Sequence, residues 1–455
     1  MLREKDEGGR KVSWGRRRLM RQGLAVAGLG LSAPWPTIQP AAAAIGWGTG
    51  PRSGLPFWLG AHSRPDEIVA LMPSGRGIDL VNDFENARPY YDVAANTIAG
   101  WRTRTFHRYL LEGRAAAMQW ASSPFCSGAG YQVPTTWPTS AAAITSATWL
   151  NASRPPTFTG TESAAEQREK QRRVWQIAAN GWLQAVWRDK LIAFKRDYFI
   201  RYNLRTIRII LRITHEINMS LRWGDTGYMR SYSVRALDPA ADGPIVKEAL
   251  RRYIGVFLDV FGTIQSSIPN DYAYRDDQLW PYWCPLKDHS GGFDSRVTCP
   301  DNAKLVGPDY YDHWPASMTP AEWSTNILRR SKQGWPIGLA TWRDWARSKG
   351  RLLAIGEWGL MATTMTETGQ RPSYEGWDNP TFITYFLEFC RANAGDIAFA
   401  CYFNKDVVSS TSLPAHLIGP WAGLSDSTVA CERTPPGDLN RCGARAFARW
   451  MAGTS

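Results

Sequence analysis

Eight short apolar runs recur along this chain, at residues 57–60, 78–84, 115–120, 206–213, 279–283, 305–311, 352–357 and 397–403. Segments of helical period lie between and after several of them, at 174–199 (interrupted near Gly181), 244–261, 320–331, 342–349 and 380–392. Strands that alternate with helices read as a parallel sheet with helical crossovers. Eight such strands point to a closed (β/α)8 TIM barrel rather than an open sheet. The 455 residues, 44% apolar and 21% charged, are ample for one large core and exclude a disordered chain. Residues 126–165, 225–243 and 408–441 read as long loop insertions, so 46–455 is expected to be one barrel domain.

The first 45 residues are of another kind. Arg16-Arg17-Arg18-Leu19-Met20-Arg21 precedes an apolar stretch at 24–31 and a small-residue run at 41–44. Charged, apolar and small segments in that order make an export signal, and an arginine pair before Leu-Met-Arg resembles the twin-arginine type. Residues 1–21 hold eight basic and three acidic side chains, +5 of the formal +12. The apolar stretch is too short to span a bilayer, which takes about 20 residues. A periplasmic or secreted monomer without a membrane span is therefore expected. The remaining positive charge is spread thinly, with no Lys/Arg-rich patch, so nucleic acid is not the expected partner. At most it lends a weak long-range attraction for acidic polysaccharides.

Seven cysteines fit an oxidising compartment. Cys284–Cys299 and Cys431–Cys442 flank loop-like stretches and are candidate pairs, whereas Cys390 and Cys401 read as core residues. There is no CxxC, and the six histidines show no ligand spacing, so no metal and no cofactor is expected.

Two strand-like runs end in a glutamate. Residues 207–213 lead into Thr214-His215-Glu216-Ile217-Asn218, and residues 352–355 lead into Gly356-Glu357-Trp358-Gly359. Barrel active sites lie at the C-terminal ends of the strands, so both carboxylates are expected at one mouth. Two carboxylates across a sugar are the machinery of glycoside hydrolysis: one protonates the leaving oxygen, the other attacks the anomeric carbon or activates water. A zinc reading of His215-Glu216 fails because position 219 is Met, and no G-x-S-x-G supports a serine hydrolase. The chain also holds 23 Trp. Trp223, Trp283, Trp314 and Trp358 fall at or just after strand ends, where flat rings serve as sugar platforms. Trp175, Trp182 and Trp187, at helical spacing, are expected to pack helix against barrel.

Arg212-Ile-Thr-His215-Glu216-Ile-Asn218 followed by Trp223-Gly224 resembles the acid/base strand of glycoside hydrolase family 26, among the clan A retaining barrels. Gly356-Glu357-Trp358-Gly359 is similar to the clan's nucleophile strand, and Val306-Gly307-Pro308-Asp309-Tyr310-Tyr311 to the family's sixth strand. Tyr282-Trp283-Cys284-Pro285 sits where the fifth strand usually carries a Trp, and Asp378-Asn379-Pro380 matches another recurrent feature. The resemblance spans roughly residues 200–405, and the first three strands fit only loosely. It implies Glu216 as general acid/base, Glu357 as nucleophile and Tyr311 as the residue that orients Glu357. His215, Asn218, Trp223, Trp283 and Trp358 join Tyr311 as expected sugar contacts. Mannan-cleaving members have Gly and a further Trp soon after His-Glu, where this chain has Met219, Ser220 and Leu221. Their eighth-strand Trp is replaced within Cys401-Tyr402-Phe403-Asn404. The expectation is an exported, β-mannanase-like retaining glycosidase acting on a β-linked polysaccharide. The alternative is a non-catalytic carbohydrate-binding or envelope-scaffold barrel.

Overall fold

The computed structural model describes residues 47–63, 65–84, 105–122, 124, 163–213, 216–218, 234, 236–262, 273–287, 293–313, 315–360, 379–404 and 443–453. The proposed export segment lies outside the described residues. So do Cys126, Cys431 and Cys442, the loop expected at 126–165 except its last three residues, and the loop expected at 408–441.

Among the described residues nine parallel strand segments form the sheet: β1 Trp58–Ser63, β2 Leu80–Phe84, β3 Ala117–Ser122, β4 Arg208–Ile213, β5 Leu279–Trp283, β6 Leu305–Val306, β7 Tyr310–Asp312, β8 Leu352–Leu360 and β9 Ile397–Asn404. β6 and β7 are two pieces of one stave. Both pair with β8, through Leu305↔Leu352 and Tyr310↔Trp358. The β6–β8 pairing closes the ring, giving an eight-stave parallel barrel with surrounding helices, the (β/α)8 class the sequence implied. Gly307 makes the break between β6 and β7 possible. A Cβ there would sit 2.0 Å from the Ala354 carbonyl oxygen, so only glycine lets the stave pass β8 this closely.

Two apolar layers follow from strand alternation. Outward residues such as Trp120, Ile209, Leu211, Trp283, Leu353, Ile355 and Trp358 share one core cluster with helix residues including Trp175, Trp187, Trp342 and Phe386. Those helix residues come from α3 Ala164–Ala179, α4 Gln184–Phe194, α7 Leu339–Ser348 and α8 Pro380–Ala392. The other helices are α1 Pro65–Ala70, α2 Thr105–Leu111, α5 Gly243–Phe261, α6 Pro320–Asn326 and α9 Gly443–Ala452. Inward residues Trp58, Leu80, Ala117, Ile210, Tyr282, Ala354, Phe399 and Cys401 fill the barrel itself. Its floor is aromatic: Trp47 meets Trp58 at 4.8 Å and Trp280 at 5.1 Å, with the Arg208 guanidinium 4.5 Å over Trp58. Above this floor the inward positions stay apolar until the C-terminal ends, where they turn polar at His62, Asn82, Gln119, Arg212 and Glu357.

The helix expected from 174 begins ten residues earlier. Its first turns are polar, and a capping box between Ser163 and Glu166 starts it. Gly181, with φ +85, ends that helix as expected, and Trp175 and Trp187 are buried against the barrel with Trp182 packed beside them. Cys284 and Cys299 are not a disulfide. Both are free and buried: Cys284 lies in the barrel interior, and Cys299 lies in the outer layer, where it accepts from Arg351 at 2.8 Å.

Gly307→Ala is expected to cost about 1–3 kcal/mol, because the new methyl meets backbone that cannot rotate away. Chemical denaturation of parent and variant measures it, and equal midpoints would show that this contact does not hold the break.

Candidate active site

A one-residue bulge aims Glu357. Along β8 and β9, Ile355 pairs with Ala400 and Trp358 with Tyr402, three residues against two. Ile355 and Trp358 both face the helices, so the extra residue places Gly356 and Glu357 together on the barrel side. Gly356 is required there: a Cβ would lie 2.8 Å from Tyr282 Cε1 and 3.2 Å from Arg212 Nε. The Tyr282 hydroxyl fixes this turn, donating to the Gly307 carbonyl at 2.8 Å and accepting from the Gly356 N–H at 2.9 Å.

Both oxygens of Glu357 are held. Arg212 Nη1 donates to Oε1 at 2.6 Å, and the Tyr311 hydroxyl donates to Oε2 at 2.5 Å. Arg212 is fully buried, and its Nη2 donates to Asp309 Oδ2. The Cys284 thiol donates to the other Asp309 oxygen at 3.3 Å. Burial opposes the Arg212 charge, but Asp309 and Glu357 beside it raise its pKa well above the usual guanidinium value. Burial pushes the Asp309 carboxyl up to about 8, against Arg212 and with the neighbouring Glu357 charge. Burial and Glu357 likewise keep the Tyr311 hydroxyl protonated. Below, the buried Lys287 ammonium donates to the carbonyl of Tyr311 at 2.6 Å and to that of His313, fixing the segment that carries the hydroxyl.

Glu216 stands three residues past β4 in the left-handed backbone region, φ +53, uncommon for a residue with a Cβ. The Leu286 N–H donates to Asn218 Oδ1 at 2.7 Å and the Val234 N–H to the Ile217 carbonyl at 2.9 Å, pinning the turn that imposes it. One carboxylate oxygen each from Glu216, Asp309 and Glu357 lie within 4.8 Å of one another, all three residues buried.

The structure therefore brings together Glu216, Glu357 and Tyr311, and gives Asn218 a supporting role in the turn behind Glu216. His215, Trp223 and Trp314 lie outside the described residues. Trp283 and Trp358 are corrections. Each is fully buried and faces outward, Trp283 against Trp345 at 5.7 Å and Trp358 stacked on Phe386 at 4.1 Å, so neither ring is open to a sugar. Arg212, Asp309 and Lys287 had no role assigned from the sequence, and Cys284 was expected in a disulfide rather than beside Asp309. The spacing of Asp309 and Tyr311, two apart and hence on one strand face, was the available signal.

No protein-family model matches the chain, and no curated protein matches it in sequence. Its neighbours among solved structures include family 26 glycoside hydrolases. A family 26 enzyme from a Muricauda species is 12% identical with TM-score 0.45, over 88% of this chain and 86% of that one. A Bacillus subtilis mannanase is 11% identical with TM-score 0.43, over 85% and 88%. A family 26 β-mannanase from Bacteroides ovatus is 12% identical with TM-score 0.37, over 87% and 88%. The likeness is one of general architecture and assigns no residue a role. Among the described residues no helix is long and apolar enough to cross a membrane.

Asp309 sets a pH expectation. Its folded value, about 8, lies above the usual 3.8, so between these limits the folded chain keeps a proton that the unfolded chain has lost. Its contribution is present below about pH 4 and is lost as pH rises through about 8. Melting temperatures of the parent should fall relative to Asp309→Asn across that window, and parallel curves would contradict the assignment.

Proposed function

We propose that the protein is an exported retaining glycoside hydrolase that cleaves a β-linked polysaccharide by double displacement. One observation carries the reading: carboxylate oxygens of Glu216, Asp309 and Glu357 converge within 4.8 Å at the C-terminal mouth of a closed parallel barrel. Retaining enzymes hold their two carboxyl groups about 5–5.5 Å apart, and inverting ones about 6.5–9.5 Å apart to admit a water. The close approach of Glu216 and Glu357 supports retention.

In this reading Glu357 is the nucleophile. Arg212 and Tyr311 grip its two oxygens, so the carboxylate meets the anomeric carbon in one orientation with little left to reorganise. Glu216, as the acid, gives its proton to the glycosidic oxygen while that carbon–oxygen bond breaks and the bond to Glu357 forms. Glu216, now a carboxylate, then takes a proton from water as the water's oxygen displaces Glu357, returning both groups to their starting state. Asp309 accepts from the other nitrogen of Arg212 and positions it. The Arg16-Arg17 pair and the apolar and small-residue runs after it support export by the twin-arginine route.

Reducing-sugar release from mannans, glucans, xylans and acidic exopolysaccharides tests the reading. Activity on one polymer should fall roughly 10²–10⁴-fold in Glu216→Ala and to background in Glu357→Ala. Activity that survives both changes would overturn the site. Binding to a polymer without any cleavage would favour the carbohydrate-binding or scaffold alternative. Export has its own check: a double Arg16→Lys, Arg17→Lys change should leave the chain in the cytoplasm on fractionation, and unchanged export would exclude that route.

A further inference from the structure

A row of inward positions on β9, β1, β2 and β3 is left unexplained by the acid–nucleophile pair. Phe403 pairs in register with His62, His62 with Asn82, and Asn82 with Gln119, so the four stand side by side around the mouth. Alternation from the interior residues Cys401, Gly60, Leu80 and Ala117 turns all four inward. The Gln119 amide donates to the Gly356 carbonyl at 3.1 Å, immediately before Glu357, which ties the row to the nucleophile. Phe403 stacks on the His62 ring at 4.6 Å with the planes 7° apart, and it meets the Tyr311 ring edge-on at 6.3 Å.

Asn82 decides what the row is for. It is 2% exposed, as deep as Glu357 at 5%, yet neither its amide nitrogen nor its amide oxygen has a hydrogen-bond partner among the described residues. The Gln119 amide oxygen is unpartnered as well. Buried polar atoms without partners cost free energy in the resting protein, so a chain that keeps the whole Asn82 amide and the neighbouring Gln119 oxygen unpaired keeps them for an occupant. An amide donates and accepts at once, which matches a sugar hydroxyl. A uronate carboxylate calls for a cation instead, and Arg212 is already engaged by Asp309 and Glu357. The Glu357 carboxylate at the same mouth also opposes an anionic ring.

We propose that Asn82 and Gln119, with the Phe403–His62 stack beside them, form the pocket that seats a neutral sugar ring against Glu357. The amides take its hydroxyls and the Phe403 ring its C–H face. This rests on the hydrolase reading above and names the substrate class at that site: neutral glycosides, recognised by strands where no sequence motif was legible.

Calorimetric titration of xylotriose, cellotriose, mannotriose and trigalacturonate into the full chain carrying Glu357→Gln, which stops turnover, tests the pocket. Asn82→Leu in that background should weaken the best neutral trisaccharide at least tenfold. In the parent background the same change should leave the melting temperature level or raise it, since methyls replace an unpaired buried amide. Phe403→Leu should weaken binding comparably, and Phe403→Trp should retain it. Unchanged affinity in Asn82→Leu, a lowered melting temperature with unchanged affinity, or tighter binding of trigalacturonate than of every neutral probe would overturn the proposal. The two readings fail separately. Cleavage that needs Glu216, with trisaccharide affinity indifferent to Asn82, removes the pocket and leaves the hydrolase. Affinity that needs Asn82 in a protein without cleavage keeps the pocket and removes the hydrolase.

Discussion

A single buried guanidinium organises the mouth of this barrel. Arg212, with no exposed surface, holds Glu357 on one nitrogen and Asp309 on the other. Taking a charge out of water costs several kcal/mol even after relaxation, so an ion pair at such depth is a poor source of stability. What it supplies is geometry. With Tyr311 on its other oxygen, Glu357 has no freedom to rotate, and the surrounding structure is shaped to keep it so: glycine at 356, a bulge in β8, the Tyr282 hydroxyl on the Gly356 N–H.

The cost of this arrangement is borne by the apolar layers. Each fully buried Trp removes roughly 150–250 Å² from water, on the order of 4–6 kcal/mol at about 25 cal/mol per Å². Trp120, Trp175, Trp187, Trp283, Trp342 and Trp358 are all buried to that degree between strands and helices. That reservoir tolerates a left-handed Glu216, a buried ion pair and the unpartnered Asn82 amide on the inner wall. The tryptophan richness that suggested sugar platforms serves, at Trp283 and Trp358, to build the scaffold.

The barrel was legible because apolar runs and helical segments alternate, and that alternation permits few architectures. The two glutamates were legible because each closes an apolar run. Facing was not. Trp283 follows the inward Tyr282 by one residue and so points out, and Trp358 follows a bulge that no periodicity announces. Asp309 and Arg212 stood inside recognised motifs without a role, since only the folded barrel brings β4, β7 and β8 to one point. The start of α3 was hidden by its polar first turns. The row on β1 to β3 was invisible for a plainer reason: His62, Asn82 and Gln119 lie far apart in sequence, and their adjacency exists only through register.

The most direct test of the proposed function is the anomeric configuration of the first product, followed by proton NMR before mutarotation on a polymer that the protein is found to cleave. If Glu216 and Glu357 act as proposed, the new reducing end appears first with the configuration of the bond that was cut. Release of the opposite anomer would mean that water, not Glu357, attacks the sugar, and would contradict the central claim.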